Sequence, residues 1–158
     1  MSNREDVMSI SIKKAKVHDL EKLYRIEKEC FTSEAFSKEQ TAFLLGNPNS
    51  ISLLAQMNDE IVGFIIALIY ERNNEKAGHV FTLDVAIKAR RRGVGLRLLW
   101  NLEQILRSKG VNVCYLEVKV DNVAARELYK KLGYVEIEHL KDHYYLREDG
   151  VRLRKILQ

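Results

Sequence analysis

One short stretch of the sequence combines dense positive charge with two closely spaced glycines. Three consecutive arginines beginning at Arg90 lead directly into Gly93 and Gly95, and apolar residues at helical spacing follow. The first N–H groups of a helix lack internal partners and, with the helix dipole, attract an anion. Glycine allows the backbone to approach such an anion closely, because no Cβ stands in the way. The pattern predicts a phosphate-binding turn between a strand and a helix.

Two common phosphate motifs do not fit this turn. The third glycine of a dinucleotide fingerprint would fall at Leu98, and the Lys-Ser/Thr pair of a P-loop is absent. A surface turn with solvated arginines remains an alternative at this point.

The elements on either side of the turn follow from periodicity and capping residues. A strand, FTLDVAI, precedes the arginines, and apolar residues from Val94 keep helical spacing until Gly110. The strand VNVCYLEVKV comes next, and Asn122 is positioned to cap the helix VAARELYKKL. This strand–helix–strand–helix passage predicts an α/β domain in which helices cover a mixed sheet.

The two ends of the chain supply further strands and two further helices. ISIKKAK (residues 10–16) reads as a first strand, and HDLEKLYRIEKECF as an amphipathic helix. Ser37 and Gln40 form a capping box for a short second helix, and Asn58-Asp59 joins two strands as a hairpin turn. YVEIEHL and VRLRKIL are the last two strands.

Composition limits the classes of protein that this chain can represent. The 158 residues suit a single domain, and a net charge of +4 is too modest to indicate nucleic-acid binding. The first residues contain acids where a signal peptide needs an apolar run, and no stretch suits a membrane span. We expect a cytoplasmic protein without membrane contact, in which the two widely separated cysteines are free thiols.

Two segments resemble the signatures of a known enzyme family. Arg90-x-x-Gly93-x-Gly95 after LDVAI resembles the acetyl-CoA motif of the Gcn5-related N-acetyltransferase (GNAT) superfamily. YLEVKVDNVAARELYKKLGY resembles the second signature of that family, most closely its ribosomal-protein alanine and archaeal Nα-acetyltransferase branch. The resemblance implies one GNAT domain over residues 1–158, with about seven mostly antiparallel strands, a central splay and four helices.

The resemblance also implies where acetyl-CoA binds, with no metal required. The pyrophosphate would lie on the turn, the pantetheine arm would bond to the strand before it, and Asn122 would contribute a further hydrogen bond. The Val85 N–H would donate to the oxyanion, and we expect the Asp84 side chain to point away from the thioester. The implied cofactor residues are Leu83, Asp84, Val85, Arg90, Arg91, Arg92, Gly93, Val94, Gly95, Leu96 and Asn122.

Two residues would carry the proton transfers of the family reaction. Tyr129 has the spacing of a core tyrosine, but the resemblance makes it the acid that protonates the departing thiolate. Glu117 lies on the polar face of its strand, and the resemblance makes it the proton acceptor, with His79 as a second and lower-ranked base. His139 and His143 lack the pattern of a metal site.

Two loops would bind the acceptor, which the resemblance identifies as the N-terminus of a protein or peptide. The residues concerned are Phe31, Glu34 and Phe36 in the first loop and Tyr144 and Tyr145 in the second. Acetylation of lysine side chains or small amines by the same fold, and a non-catalytic acetyl-CoA-binding module, remain alternatives. The sequence does not decide the preferred first residue, an association with the ribosome or an auxiliary subunit.

Overall fold

The computed structural model describes residues 9–31, 35–144 and 148–158. Its strands are β1 (Ser11–Lys14), β2 (Ser50–Met57), β3 (Glu60–Arg72), β4 (Glu75–Val85), β5 (Val113–Lys119), β6 (Val135–Tyr144) and β7 (Glu148–Ile156). Its α-helices are α1 (Leu20–Cys30), α2 (Lys38–Gly46), α3 (Val94–Ser108) and α4 (Val123–Lys131). None of the helices within these ranges is long and apolar enough to cross a membrane.

The strands form one sheet in the order β1-β2-β3-β4-β5-β7-β6. The pair β4–β5 is parallel, and the other pairs are antiparallel. The prediction of a mixed, mostly antiparallel sheet of about seven strands with four helices is therefore confirmed.

Alternate residues of β3 divide the core between the two faces of the sheet. Ile65 and Ala67 belong to the larger cluster, which contains the apolar stripe of α3. Phe64 and Ile66 belong to a second cluster with Leu23 of α1 and the apolar side of α2. The sheet thus has α3 on one face and α1 with α2 on the other, as side-chain alternation along a strand requires.

A β-bulge in β4 changes which residues face α1. Ala67 pairs with Val80 but Ile66 pairs with Thr82, so Phe81 is the extra residue of the bulge. Val80 packs into the α3 side, whereas Thr82 shares the α1 side of the sheet with its partner Ile66. In an unbroken strand the side chain of Thr82 would point toward α3, as that of Val80 does. The bulge turns it toward α1 instead.

Strands β4 and β5 separate soon after they pair. Their register covers only three residue pairs, which end at His79 and Tyr115. Beyond this point β4 continues to Val85 while β5 pairs with β7 alone. This divergence is the central splay that the family resemblance implied.

Local signals in the sequence placed several element boundaries correctly. Ser37 accepts from the Gln40 N–H and closes the capping box of α2, and Asn122 accepts from the Ala125 N–H at the start of α4. Asn58 and Asp59 adopt positive φ angles of 49° and 60° in the β2–β3 hairpin. The first strand is shorter than predicted, because the backbone from Lys16 already caps a 3-10 helix over Val17–Asp19.

Candidate active site

The turn between β4 and α3 leaves a helix N-terminus without a protein cap. Arg91 and Gly93 adopt positive φ angles of 64° and 79°, and Gly93 is the N-cap residue of α3. Within the described ranges no side chain caps this end, and the first turn of α3 carries no acidic residue. The backbone conformation and the helix dipole therefore favour an anion here, and Arg90, Arg91 and Arg92 add positive charge.

The residues of the turn have different surroundings. Arg90 donates from Nε to the Val85 carbonyl at 3.1 Å and from Nη2 to Cys30 Sγ at 3.5 Å, so it joins the end of β4 to α1. Val94 is buried in the core and Leu96 is exposed, and a Cβ on Gly93 would meet nothing within 4 Å. Gly93 is thus required here for its positive φ rather than for lack of space among the protein atoms.

The edge of β4 beside the splay presents backbone groups to the gap. The Ala86 N–H donates to the Val62 carbonyl of β3 at 2.8 Å. Because N–H groups in an antiparallel pair alternate in direction, those of Leu83 and Val85 point away from β3 and toward the gap. These are the groups that the sequence predicted would contact the pantetheine and the oxyanion.

The side chain of Asp84 is directed toward α1. It is 1% exposed and lies with Glu27 and Thr82, whose hydroxyl is 2.6 Å from Asp84 Oδ1. Burial, followed by the negative charge of Glu27, raises the pKa of Asp84 to about 8. The carboxyl therefore lies on the α1 face of the sheet, whereas the N–H groups of Leu83 and Val85 point toward the gap.

His79 and Glu117 meet across the last residues that pair β4 with β5. His79 Nε2 donates to Glu117 Oε2 at 2.6 Å, because an ionised carboxylate can only accept. On the other side of Glu117, Arg152 of β7 approaches Oε1 with Nε at 3.4 Å and Nη2 at 3.3 Å. Arg152 also donates from Nη1 to Glu138 of β6 at 2.6 Å. The four side chains form one network across four strands.

This network keeps Glu117 ionised. Burial alone would raise the pKa of Glu117, but the hydrogen bond and charge of His79, followed by the charge of Arg152, outweigh burial and lower it. A carboxylate in this state orients the His79 ring and stabilises an imidazolium if His79 takes up a proton.

The His79–Glu117 pair lines an open groove on the face of the sheet that carries α1. The groove has a volume of about 470 Å³. Besides Arg152, it is bordered by Tyr70, Arg72 and Tyr115. A cavity of this size, with a few polar groups converging on it, is typical of a small-ligand or peptide-end site.

Tyr129 of α4 lies near the opposite wall of the splay. Its ring packs edge-on against Tyr134 at 5.9 Å between centroids. Burial raises the pKa of Tyr129, so its hydroxyl retains its proton. The amide oxygen of Asn122 is engaged by the Ala125 N–H at 3.2 Å, which leaves its NH₂ group as the donor for a ligand.

The predicted acceptor residues are only partly described. Phe31 ends α1 and Phe36 precedes the cap of α2, and both are half-buried. Tyr144 ends β6, packs on His143 and lies close enough to Tyr129 to affect its pKa. Glu34 and Tyr145 lie outside the described residues.

Three polar partners in this region were not predicted from the sequence. Arg152 donates to Glu117 and also to Glu138, and Glu27 contacts Thr82 beside Asp84. Glu27 had a detectable signal, because it falls beside Ile26 on the buried stripe of α1, where a carboxylate is unusual. Among the described residues, no three His, Cys, Asp or Glu side chains are grouped as metal ligands.

Comparisons with known proteins identify the fold. Solved structures of the same fold include the ribosomal-protein-S18-alanine N-acetyltransferase of Escherichia coli, with a TM-score of 0.84, 24% identity and coverage of 95% of each chain. Another is Arabidopsis thaliana NAA60 in complex with acetyl-CoA, with a TM-score of 0.84, 20% identity and coverage of 94% of this chain and 99% of the other. The fold is therefore that of the GNAT acetyltransferases.

The amino-acid sequence identifies the family to which the chain belongs. Residues 20–134 match the Acetyltransferase (GNAT) family, and the chain belongs to that family of acetyl-CoA-dependent enzymes. An uncharacterized N-acetyltransferase of Methanocaldococcus jannaschii is 30% identical over 91% of this chain and 90% of its own length. An N-alpha-acetyltransferase of Sulfurisphaera tokodaii is 33% identical over 61% of this chain and 64% of its own length.

Proposed function

We propose that this enzyme transfers the acetyl group of acetyl-CoA to the N-terminal α-amino group of proteins or peptides, by direct attack of the amine on the thioester. The observation that carries the proposal is the His79–Glu117 pair, held at 2.6 Å in an open groove where β4 and β5 begin to separate. The groove gives an amine access to the same gap that the uncapped start of α3 makes suitable for a phosphate-bearing acetyl donor.

Acetyl-CoA fits the gap through backbone groups. Its pyrophosphate would bind the N–H groups at the start of α3, in the turn formed by residues 90–96, where Gly93 supplies the positive φ. The pantetheine arm would continue along the free edge of β4 at residues 83–85, in the manner of an added strand. The Asn122 amide would donate from the other side.

The incoming amine loses a proton to the His79–Glu117 pair. His79 Nε2 is engaged by Glu117, so Nδ1 is the nitrogen that can accept the proton, directly or through one water. The ionised Glu117 stabilises the resulting imidazolium, and Arg152 holds Glu117 in position. In this scheme Glu117 and His79 act as one base.

Groups of β4 and α4 would stabilise the oxyanion and protonate the departing thiolate. The amine nitrogen forms a bond to the thioester carbon, and the Val85 N–H donates to the oxygen that becomes negative. The carbon–sulfur bond then breaks, and the Tyr129 hydroxyl gives its proton to the departing thiolate. Because the Tyr129 pKa is raised, the hydroxyl is protonated when it is needed.

The acceptor assignment rests on the two loops and on the relatives. Phe31 and Phe36 would frame the first side chain, and Tyr144 and Tyr145 would bond to the peptide backbone. Glu34 would hold the ammonium or guide a basic residue; Glu34 and Tyr145 lie outside the described residues. The Sulfurisphaera tokodaii relative is an N-alpha-acetyltransferase, which favours an α-amino over an ε-amino acceptor. A cytoplasmic location and a single domain over residues 1–158 belong to the same proposal.

A transfer assay tests the proposal. Purified enzyme and acetyl-CoA would be incubated with peptides that begin with different residues, and fragmentation mass spectrometry would locate each added acetyl group. We expect acetyl-CoA-dependent acetylation confined to the first residue. Acetyl groups on internal lysines alone, or on small amines but on no peptide, would favour the alternative acceptors.

A further inference from the structure

Three polar side chains are enclosed between α1 and β4, apart from the groove. Glu27 and Asp84 are each 1% exposed and Thr82 is 6% exposed. The bulge at Phe81 places Thr82 and Asp84 on this face, where their strand partners Ile66 and Phe64 are apolar. Two carboxyl groups thus share a site that contains little solvent.

The hydrogen bonds at Thr82 require a proton on one of these carboxyls. Thr82 Oγ1 lies 2.8 Å from Glu27 Oε1 and 2.6 Å from Asp84 Oδ1. A hydroxyl has one hydrogen, and an ionised carboxylate can only accept. Both contacts are hydrogen bonds only when one carboxyl is protonated and donates to the Thr82 oxygen.

The charged and titratable neighbours do not remove this requirement. Arg90, after β4, attracts the Asp84 charge, but its guanidinium bonds to the Val85 carbonyl and to Cys30 Sγ of α1. The other titratable groups near Asp84, Tyr129 of α4 and Cys30 of α1, are acids rather than cations. Glu27 Oε2 and Asp84 Oδ2 have no hydrogen-bond partner within the part of the chain that the structure describes. Two negative charges would be poorly stabilised here.

Of the two carboxyl groups, that of Asp84 lies nearer to the gap between β4 and β5 in which we propose that acetyl transfer occurs. It sits between Leu83 and Val85, whose N–H groups point into the gap, and its charge acts on Tyr129. A negative charge at this position would oppose both the oxyanion and the thiolate of the proposed reaction.

We propose that Glu27, Thr82 and Asp84 form a proton-sharing unit that keeps Asp84 uncharged beside the acetyl-transfer gap, and that transfer fails when this proton is lost at alkaline pH. The inference rests on the proposed function for its effect on the reaction, but the shared proton itself does not. Asp84 and Glu27 act here as positioning residues, since they work through the field at the gap.

The shared proton has a consequence for stability that is independent of activity. The folded-state pKa of Asp84, about 8, lies above its ordinary value of 3.8, so the folded chain binds more protons than the unfolded chain between these values. The contribution of Asp84 to the free energy of unfolding therefore falls as pH rises through this range. Asp84→Asn should remove that slope, because the amide does not titrate.

The test compares the full-length enzyme with three variants. Asp84→Asn removes the ionisation, Thr82→Val removes the bridging hydroxyl, and Asp59→Asn is a matched control at an exposed hairpin position where Asn tolerates the φ of 60°. Each protein would be examined by infrared spectroscopy at neutral pH, by urea unfolding from about pH 5 to about pH 9, and by kcat for peptide acetylation over the same range.

We expect the wild type and Asp59→Asn to show a protonated-carboxyl infrared band and a kcat that falls roughly tenfold per pH unit above about pH 8. Asp84→Asn should lose the band and the alkaline fall. In Thr82→Val the alkaline fall of kcat should move to higher pH, because the Thr82 hydrogen bond lowers the pKa of both Glu27 and Asp84.

The same band and unfolding slope in Asp84→Asn and the wild type would overturn the shared proton. An unchanged alkaline fall of kcat in Asp84→Asn would overturn its effect on transfer. If no peptide or amine is acetylated, the proposed function fails, whereas the infrared and unfolding results still decide whether the proton is shared.

Discussion

At the scale of single residues, the environments of the candidate acid and base separate their protonation states. The pKa of Glu117 is lowered by its hydrogen bond to His79, against the effect of burial, while burial raises the pKa of Tyr129. One site is therefore an ionised acceptor and the other a protonated donor, which is the arrangement that acyl transfer between an amine and a thiol needs.

Replacing Tyr129 with Phe tests the donor. Steady-state kinetics at saturating substrates should show kcat reduced by about 10²- to 10⁴-fold, the usual contribution of a general acid. The affinity for acetyl-CoA, measured by calorimetry, should change little, because the ring still packs on Tyr134.

Tyr24→Phe serves as the control for Tyr129→Phe. Tyr24 lies on α1 under Lys28 and away from the gap, so its loss should leave kcat unchanged. Full activity in Tyr129→Phe, with the chemical step shown to limit the rate, would exclude Tyr129 as the essential acid.

Replacing Glu117 with Gln tests the base pair. The amide cannot stabilise an imidazolium at His79, so kcat/KM should fall by roughly 10²-fold, and most at low pH where the amine begins protonated. Combining this change with His79→Asn should cost little more than either change alone, because the two residues act as one base. Additive losses would show that they act separately, and Glu127→Gln at an exposed position of α4 is the control.

At the scale of elements, we propose that the left-handed residue at the start of α3 is needed for binding and not only for folding. Gly93 and Gly110 both have positive φ angles, 79° and 75°, and a Cβ on either would meet nothing within 4 Å. They flank the two ends of the same helix, so they form a matched pair of positions.

Gly93→Ala and Gly110→Ala should each cost about 1–2 kcal/mol in the free energy of unfolding, because Ala is strained at positive φ. Urea unfolding measures this cost. Acetyl-CoA affinity should drop about tenfold or more in Gly93→Ala alone, since a shifted turn misplaces the N–H groups of α3. Equal affinities in the two variants would contradict a pyrophosphate site at this turn.

The elements that the sequence predicted well are those with local signals. Ser37 bonds to Gln40 and Asn122 to Ala125, each within three residues, and Asn58 and Asp59 adopt the positive φ angles of their own turn. The arginine–glycine turn also acts through its own backbone. In each case the residues that determine the structure lie next to one another in the chain.

The features that the sequence did not predict depend on contacts between distant segments. Arg152 reaches Glu117 only because β7 inserts between β5 and β6 in the sheet. Glu27 meets Thr82 only because the bulge at Phe81 reverses the direction of the following side chains. Neither the strand order nor the bulge has a local signature in the residues concerned.

At the scale of the whole molecule, one face of the sheet is mainly apolar core and the other carries the polar side chains of the candidate site. The α3 face contains the larger apolar cluster, while the other face carries the polar side chains of the groove and of the Glu27–Asp84 pair. In the proposed function, the gap between β4 and β5 connects a donor site at the start of α3 with an acceptor groove. An acceptor that must enter this groove with an unblocked amine fits a peptide end.

The most direct test of this assignment is a competition between two peptides of the same sequence. One would have a free α-amine and a blocked lysine, and the other a blocked α-amine and a free lysine. Both would be present with acetyl-CoA and wild-type enzyme, and mass spectrometry would give the ratio of their kcat/KM values. We expect the peptide with the free α-amine to be acetylated at least about a hundredfold faster, as a site built for one amine discriminates strongly. Preferential acetylation of the free lysine would contradict the proposed function.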